Sequence, residues 1–531
     1  MEPPRRMMHG TRERKKAYVE TYGCQMNVAD GELMQGILAA QGYDLAATPD
    51  EADVILVNTC AIREHAEQRV LGRVAQLNKV KLARPGVVLG VTGCMAQRMG
   101  HSLLEKAPYV DLVMGPDGYR RLPEVLAKLG AADAGERAKG SPEAGSAAGA
   151  GAEARSSASV GSAASAGSAA SGGGATSSTA PSAPGRRPLR ALPVLGVASA
   201  ADAPRAGDGR IAILDFEANE NYEGLQVRRG SKVSAWVPIQ RGCNYRCTYC
   251  IVPYVRGPEK NRDPQQILAE VRDIVAQGIP EVVLLGQTVN SYRHGDWDFP
   301  RLLREVARVD GIRRVRFTSP HPNDVTPELV EVMAEEPTVC KHLHLPVQSG
   351  HNRTLKRMLR RYTVEAFLEK VRMVREAIPD IALSTDVIVA FPGETEEEYE
   401  ATLDLMRTVR FDDAYLYKYS AREGTPATRL PAEQFIPEDV AQARLERIIE
   451  IQRAIQAEIN ASEVGRVEEV LVERLARSEG DVLGRTDRNK MVVFPGDASL
   501  VGRFVRVELT DTTGATFIGH RVGEEALLQT A

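Results

Sequence analysis

The sequence has no long hydrophobic run and no excess of charge of either sign. No stretch of about 18 apolar residues occurs in its 531 positions, so we expect no membrane-spanning helix and no membrane partner. The basic N-terminus is not followed by an apolar segment of the secretory kind, which predicts a cytoplasmic protein. Lysine and arginine number 67 against 71 acidic residues, a net charge of −4. This balance excludes a histone-like polycation, so any nucleic-acid site is a local patch.

Cysteine is scarce, with only seven residues in the sequence. An odd, sparse set in a large cytosolic chain argues against a disulfide framework and leaves reduced thiols as ligands for a metal or cluster. We name two groups: the N-terminal triad, which is widely spaced (Cys24, Cys60, Cys94), and the barrel triad, which is tightly spaced (Cys243, Cys247, Cys250). Cys340 has no cysteine nearby, and we interpret it as a packing residue.

Composition and periodicity divide the chain into three domains and a linker. Residues 131–209 consist mainly of Ala, Gly, Ser and Pro, which bury too little apolar area to fold and therefore predict a disordered linker. Residues 16–130 alternate four apolar runs with helical stretches, which predicts an α/β domain with a parallel sheet. Each member of the N-terminal triad follows a predicted strand by a few residues. Because the carboxyl ends of parallel strands meet at one sheet edge, we expect the three thiols to converge there.

The rest of the chain predicts two further domains. Residues 229–459 contain six β/α units, typical of a partial (β/α)6 barrel whose chemistry lies in the loops after the strands. Residues 461–525 contain five short strands between turn residues, which predicts a small β-barrel of the oligonucleotide-binding type. A structural β-cap is the alternative, since acidic residues outnumber basic ones there. The predicted fold class is therefore α/β multidomain with a C-terminal β-barrel.

The barrel triad is the strongest chemical signal in the sequence. Its C-x3-C-x2-C spacing places three sulfurs around one compact loop just after the first barrel strand. A cluster held by three thiolates leaves one iron free to bind a small molecule, whereas a four-cysteine site is closed. A zinc site is the alternative, but it needs a fourth ligand, and no Cys or His lies near in sequence.

The motif from Cys243 to Cys250, with an aromatic residue before the last cysteine, resembles the signature of the radical S-adenosylmethionine (SAM) superfamily. Further strings resemble the methylthiotransferase family of that superfamily: Thr21-Tyr-Gly-Cys24-Gln-Met-Asn27, Asn58-Thr-Cys60-Ala-Ile-Arg-Glu64, Val91-Thr-Gly-Cys94-Met-Ala-Gln97, Gly286-Gln-Thr-Val-Asn-Ser-Tyr292, Thr318-Ser-Pro-His-Pro322, His344-Leu-Pro-Val-Gln-Ser-Gly350 and Phe391-Pro-Gly-Glu394. The closing β-module resembles a TRAM domain. The likeness omits only residues 1–15 and the linker, and it departs at Thr288, where the family usually has Asn.

This resemblance implies two [4Fe–4S] clusters and SAM as cofactors. The barrel triad would hold the cluster that binds SAM and releases a 5′-deoxyadenosyl radical. The N-terminal triad would hold a second cluster that carries the sulfur to be transferred. A radical suits such a reaction because no side-chain acid or base breaks an unactivated aromatic C–H bond at neutral pH. No catalytic residue is assigned beyond the six ligands.

The strings around Cys24 and His321 are closest to the branch that methylthiolates N6-(dimethylallyl)adenosine at position 37 of tRNA. This branch implies the anticodon loop of tRNA as partner, where a base is already accessible, and a flavodoxin or ferredoxin as electron donor. Branches that modify an aspartate of ribosomal protein S12 or threonylcarbamoyl-adenosine stay open, because the cysteine turns separate them poorly. A redox-sensing, RNA-binding iron–sulfur protein is the alternative outside enzymes.

A few other residues are candidates for SAM contacts. Gly286 and Gln287, at the end of the second barrel strand, are expected near the SAM amino group, although a plain β-to-α turn would have the same sequence. Asp386 is acidic within an apolar strand, so it needs either a ribose hydroxyl or an arginine as partner. His321, between two prolines, is expected either to line the pocket or to form a structural turn.

The densest basic cluster in the barrel is a candidate RNA contact. At helical spacing its members share one face that would track phosphates: Arg353, Lys356, Arg357 and Arg360. A solvated charged face is the alternative.

Overall fold

The computed structural model describes residues 14–60, 64–137 and 209–523. Most of the predicted linker, residues 138–208, lies outside the described residues, and so does the end of the predicted C-terminal domain, residues 524–525. Among the helices that are described, none is both long and apolar enough to cross a membrane.

The N-terminal domain is a parallel sheet between two helical layers. Its elements are β1 (Lys16–Thr21), α1 (Gln25–Ala40), β2 (Asp44–Leu45), β3 (Val54–Thr59), α2 (Glu64–Ala83), β4 (Val88–Gly93), α3 (Cys94–Met99), α4 (His101–Lys106), β5 (Leu112–Met114), α5 (Leu122–Arg137) and β6 (Ile211–Ile213). The described strands pair in parallel in the order β2-β1-β3-β4-β5-β6. Strand β6 therefore returns to this sheet after the linker, a strand that the sequence pattern assigned to no domain.

Both faces of this sheet are buried, which explains its continuous apolar strands. In β3, Val54 and Leu56 pack with α1 and α5 on one face. The alternate residues Ile55 and Val57 pack with α2 and α3 on the other face. Each β/α unit therefore ends its strand at the same edge, where the following helix begins.

The central domain is the predicted partial barrel. Its elements are β7 (Ser234–Pro238), β8 (Gln240–Arg241), α6 (Val252–Val255), β9 (Lys260–Asn261), α7 (Pro264–Ala276), β10 (Glu281–Leu285), β11 (Arg293–His294), β12 (Trp297–Asp298), α8 (Phe299–Ala307), β13 (Arg314–Phe317), α9 (Pro327–Glu335), β14 (His342–His344), α10 (Asn352–Arg357), α11 (Val364–Ala377), β15 (Ala382–Val389), α12 (Glu396–Val409), β16 (Asp413–Lys418) and α13 (Glu438–Glu463). Two parallel sheets, β7-β10-β13 and β14-β15-β16, are joined by a bridge between Val315 and Val339. The six predicted strands are confirmed.

The start of helix α1 packs against this barrel. Met26 and Ala29 contact Val283 and Leu285 of β10, together with Trp236 of β7. These residues alternate along their strands with those that pack on the barrel's own helices, such as Val282 and Leu284. The N-terminal domain therefore covers the inner side of the first two barrel strands.

The C-terminal domain is a closed barrel. Its strands are β17 (Val467–Leu475), β18 (Asp481–Thr486), β19 (Met491–Pro495), β20 (Phe504–Thr512) and β21 (Thr516–Arg521), in the order β17-β18-β19-β21-β20, with β17 also paired to β20. This order is that of the oligonucleotide-binding fold, as expected from the sequence. Arg314 and Arg316 of β13 donate to backbone carbonyls of this domain, including those of Arg485 and Thr486.

The connection between the first two domains runs across helix α1. The backbone N–H of Arg228 donates to the carbonyl of Glu32 at 3.1 Å. A side chain at Gly36 would overlap the carbonyl oxygen of Gln226, so only glycine permits this approach.

We expect Gly36→Ala to destabilise the protein by about 1–3 kcal/mol, because overpacking forces the connecting segment off the helix. Gly72, in helix α2, provides the matched control, because a Cβ added there would meet nothing within 4 Å. Gly72→Ala should stabilise the protein by about 0.4–1 kcal/mol through the unfolded chain. Equilibrium denaturation measures both values, and equal effects of the two substitutions would contradict the proposed contact.

Candidate cluster sites

Three strand ends bring the N-terminal triad together. Cys24 follows β1, Cys60 follows β3, and Cys94 follows β4 as the first residue of α3. These strands are neighbours in the sheet. The Cys24 thiol hydrogen-bonds the Cys60 side chain, which lowers the pKa of Cys24 to about 6. Cys94 is close enough to Cys24 for their charges to interact, and burial raises its pKa.

Glycine and asparagine shape the turns that carry these thiols. Gly23 and Gly93 have positive φ angles of 132° and 91°. A Cβ on Gly23 would lie 2.5 Å from Cβ of Cys60, and one on Gly93 would lie 2.5 Å from the carbonyl oxygen of Thr59. The buried amide of Asn27 donates to that same carbonyl at 2.8 Å. The Gly-Cys pairs therefore allow neighbouring turns to approach closely.

The barrel triad lies in the loop that follows β8. The loop is closed at its base by a hydrogen bond from the N–H of Cys243 to the carbonyl of Gly257, 3.2 Å long. Gly242 has a φ of 73°, and a side chain there would overlap the carbonyl of Pro258. Burial, with the nearby Cys247 thiol, raises the pKa of Cys250 to about 12, and burial raises that of Cys243 to about 11.

The cysteines of each triad lie close to one another. Cys24 is hydrogen-bonded to Cys60 and is near enough to Cys94 for their charges to interact, and both Cys243 and Cys250 lie near Cys247. Among the residues described, no group of three or more Cys, His, Asp or Glu side chains is arranged to hold a single metal ion. Burial raises the pKa of Cys94, Cys243 and Cys250, so these three thiols favour their protonated forms unless positive charge binds them. The donor set therefore fits a cationic iron core at each triad.

Arg360 lies in the protein interior and not on the predicted RNA-binding face. Helix α10 ends at Arg357, so Arg360 lies beyond it and does not share its face. The buried guanidinium of Arg360 donates to Sγ of Cys247 at 3.4 Å and to the carbonyl of Pro346 at 3.1 Å. The prediction that it contacts RNA phosphates is therefore wrong, because no surface phosphate reaches a group held beside the barrel triad.

The other three residues of that basic cluster differ in their exposure. Arg357 turns inward and donates to the carbonyls of Pro392 and Gly393. Arg353 keeps 59% of its side chain exposed while pairing with Glu398 at 2.8 Å. Lys356 is exposed. Only Arg353 and Lys356 therefore remain available to a phosphate.

The predicted SAM residues lie around the strand ends of the barrel. A Cβ on Gly286 would lie 2.9 Å from Oε1 of Gln240, so this turn needs glycine. Oε1 of Gln287 is buried and has no hydrogen-bond partner within the described ranges, as expected of a group that awaits a ligand. The side chain of Thr288 is turned inward, where its hydroxyl lies 3.0 Å from that of Ser291. The residue that departs from Asn at this position therefore makes a side-chain hydrogen bond of its own.

Asp386 lies on the inner side of β15. Its carboxylate is 3.4 Å from Nε2 of His344, and about a third of its side chain is exposed, at 30%. Histidine, rather than the arginine considered from the sequence, is thus its neighbour in the structure. Exposure into the barrel leaves the carboxylate accessible to a ribose hydroxyl.

His321 is buried beside the barrel triad. Its ring stacks on Tyr245 of the cysteine loop, with centroids 3.8 Å apart and planes 12° apart. Burial and the charge of Arg360 lower its pKa to about 2, so the ring is neutral. The N–H of Asn323 donates to Nδ1 at 3.3 Å, which places the ring proton on Nε2. Nε2 is buried and unpartnered among the described residues, so it offers one donor to a bound molecule.

Sequence reasoning missed Arg256, which lies six positions after Cys250 in Val-Pro-Tyr-Val-Arg-Gly. Its Nε donates to Sγ of Cys94 at 3.2 Å, so a barrel residue reaches the N-terminal triad. Ile251 and Val255 also pack on Cys94. The sequence around Arg256 shows only a charged residue after a short apolar stretch, and this pattern is too common to mark a functional residue.

Comparison with known proteins agrees with this architecture. Three family models match: the radical SAM superfamily over residues 237–406, the uncharacterized protein family UPF0004 over 16–115 and the TRAM domain over 461–520. A solved structure, the radical SAM methyltransferase TsrM from Kitasatospora setae with cobalamin and a [4Fe-4S] cluster bound, aligns with a TM-score of 0.50 at 13% identity. It covers 79% of this chain and 78% of that chain, which indicates a shared fold.

Curated relatives named tRNA-2-methylthio-N(6)-dimethylallyladenosine synthase match almost the whole chain. The relative from Phocaeicola vulgatus is 40% identical over 519 residues, covering 96% of both chains. The relative from Thermoanaerobacter sp. strain X514 is 39% identical, covering 95% of this chain and 92% of its own. That from Porphyromonas gingivalis is 38% identical over 96% of both.

Fold, domain set and cysteine triads define a radical SAM methylthiotransferase with a TRAM domain. The chain belongs to the tRNA-2-methylthio-N(6)-dimethylallyladenosine synthase family. The predicted cofactors, SAM and two [4Fe–4S] clusters, are confirmed at the level of the family. The assignment of individual ligands stays a prediction that the geometry supports.

We expect replacement of the N-terminal triad by alanine to lower the iron content from about eight to about four atoms per chain, because one of two four-iron clusters is lost. Cys340→Ala is the matched control, since Cys340 is buried near Arg316, away from both triads. Iron and sulfide analysis after anaerobic reconstitution measures the change. Retention of eight irons by the triple variant would refute the ligand assignment.

His321 should make folding sensitive to mild acid. Because its folded pKa lies below the ordinary value near 6.5, the unfolded chain binds a proton that the folded chain does not, and stability is lost as pH falls below 6.5. Between pH 7 and 5 the wild type should lose about 2 kcal/mol more than His321→Gln, measured from denaturant unfolding. His294→Gln, at an exposed histidine, should match the wild type. An equal loss in wild type and His321→Gln would show that His321 is protonated in the folded protein.

Proposed function

We propose that this protein methylthiolates carbon 2 of N6-(dimethylallyl)adenosine at position 37 of tRNA. The proposal rests on a contact between a cysteine of the N-terminal triad and residues that follow the barrel triad in sequence. Cys94 of the N-terminal triad packs on Ile251, which directly follows Cys250 of the barrel triad, and on Val255 in the short helix α6 that comes next. The two predicted clusters would therefore lie near each other across the contact between the domains, so that a sulfur carrier and a radical source can serve the same substrate atom.

When bound, SAM and the two clusters supply a carbon radical and the sulfur for transfer. The residues of this chain hold and shield the reactants. Gln287, with its free buried Oε1, is suited to accept from the SAM amino group, and Asp386 is suited to accept from a ribose hydroxyl. Helix α1 covers the inner side of β7 and β10, which helps to exclude water from the space between the triads.

His321 provides a fixed donor in this space. Its neutral ring, held by stacking on Tyr245 and by the N–H of Asn323, leaves the proton on Nε2 for a molecule bound beside the barrel triad. A carboxylate or nitrogen of a bound molecule would accept this hydrogen bond. Because the ring stays neutral, the contact adds no positive charge beside the barrel triad.

The substrate class follows from the TRAM domain and the relatives. These relatives are named for a tRNA product, and the C-terminal barrel has the oligonucleotide-binding strand order. We assign the anticodon loop as the bound region, with Arg353 and Lys356 as phosphate contacts. We further propose a flavodoxin or ferredoxin as electron donor, a cytoplasmic location, and functional domains at residues 16–130, 229–459 and 461–525 flanking a linker at 131–209.

Nucleoside analysis of tRNA from a strain that lacks this gene tests the activity. We expect 2-methylthio-N6-(dimethylallyl)adenosine to disappear and its unthiolated precursor to accumulate. The wild-type gene should restore the product, whereas Cys243→Ala should not, because it removes a ligand of the radical-forming cluster. Cys340→Ala should restore it fully and serves as the control.

Unchanged tRNA in the deletion strain would reject this assignment. Loss of methylthio groups from ribosomal protein S12 or from threonylcarbamoyl-adenosine would instead identify one of the sister reactions. A redox sensor would release no 5′-deoxyadenosine from SAM when reduced with dithionite.

A further inference from the structure

Arg256 lies in the barrel domain in sequence, but its side chain contacts the N-terminal triad. It ends the segment Cys250–Arg256, which contains the short helix α6. Its side chain leaves the barrel, enters the N-terminal domain and is only 2% exposed. One short segment therefore has a thiol of the barrel triad at its start and a guanidinium at the other triad at its end.

The guanidinium makes directed contacts in this position. Besides the bond from Nε to Cys94, Nη2 donates to Oδ2 of Asp30 at 2.7 Å and to Oδ1 of Asn27 at 3.4 Å. Asn27 in turn accepts from the Cys24 thiol at 3.3 Å. Arg256 is thus linked directly to one cysteine of the N-terminal triad and through Asn27 to a second.

The set of contacts is incomplete without a further acceptor. Nη1 of Arg256 is buried and has no hydrogen-bond partner among the described residues. Other buried arginine nitrogens that lack a partner there are Nε atoms, which carry one N–H, whereas Nη1 carries two. Buried donors are normally satisfied, so this one indicates a missing acceptor. The inorganic sulfur of a cluster is an acceptor with the matching negative charge.

The barrel triad has an arginine in the equivalent role. Arg360 donates to Cys247 just as Arg256 donates to Cys94. Arg241, at the same interface between the domains, differs because its partners are Asp117 and the carbonyl of Glu220 rather than a cysteine. Contact with a thiol is therefore a property of Arg256 and not of every buried interdomain arginine.

We propose that Arg256 is a positioning residue for the cluster of the N-terminal triad. Its guanidinium holds the Cys94 thiolate by a charge-assisted hydrogen bond, offers Nη1 to the cluster and fixes that cluster relative to the barrel triad. This role rests on the proposed function, since it requires a cluster at the N-terminal triad. A positive charge beside a cluster favours its reduced form, so Arg256 also raises the midpoint potential.

The test uses the full-length protein with the barrel triad replaced by alanine, reconstituted anaerobically so that only the N-terminal triad binds iron. In this background we compare Arg256→Gln, Arg256→Lys and Asp30→Asn. The matched control is Arg241→Gln, which breaks a buried interdomain pair without touching a cysteine. The readouts are iron content, the rate of iron release to a chelator, and the midpoint potential from a dithionite titration followed by electron paramagnetic resonance.

We expect Arg256→Gln to release iron about tenfold faster and to shift the midpoint potential to a more negative value. Arg256→Lys should recover most of the potential because it retains the charge, but little of the release rate because it lacks the planar fork. Asp30→Asn should shift the potential in the opposite direction, and Arg241→Gln should leave it unchanged.

Two results would overturn the role of Arg256. One is an Arg256→Gln protein with the release rate and potential of its background, and the other is an equal shift in Arg241→Gln. A background protein that binds no iron would contradict the proposed function itself, which separates the two failures. Thermal unfolding of each variant identifies any general loss of structure.

Discussion

Both candidate sites depend on holding three cysteine ligands in a small buried volume, which disfavours their thiolate forms unless positive charge accompanies them. Burial raises the pKa of Cys94, Cys243 and Cys250, so the folded chain alone favours thiols over thiolates there. The chain supplies part of the required charge through a buried arginine at each triad. Iron supplies the rest when the clusters are bound. Much of the surrounding structure serves to hold these charges together away from water.

This requirement explains why the first two domains are joined so closely. The N-terminal triad uses an arginine from the barrel, and helix α1 packs on strands of the barrel. The N-terminal domain therefore does not complete its site without the barrel, whereas the barrel triad has its arginine, Arg360, within its own domain. Arg241 and Lys260 of the barrel share Asp117 of the N-terminal domain, which adds a second buried charge cluster to the interface. The separation of the two triads is thereby a property of the interface and not of either domain.

The fold was predictable because the sequence patterns that indicate it are local. Strands such as Glu281–Leu285 are short apolar runs, and several of the helices between strands have clear N-caps, for example Thr395 before α12. The cysteine triads were equally visible, since Gly23 and Gly93 mark turns that no larger residue allows. Strand β6 was missed because three residues after a long linker carry too little periodicity. Arg360 was misplaced because helical spacing was extended past Arg357, where α10 ends.

Domain order, the cysteine ligand candidates and the family follow from the sequence, because spacing and periodicity record which residues each short segment presents. The charged residues that face those cysteines depend on how distant segments pack. Arg256 and Arg353 look alike in sequence, yet one is buried against Cys94 and the other is exposed beside Glu398. Such a difference arises from packing between distant segments, where burial of a charge is permitted only if a partner from elsewhere in the chain is already in place.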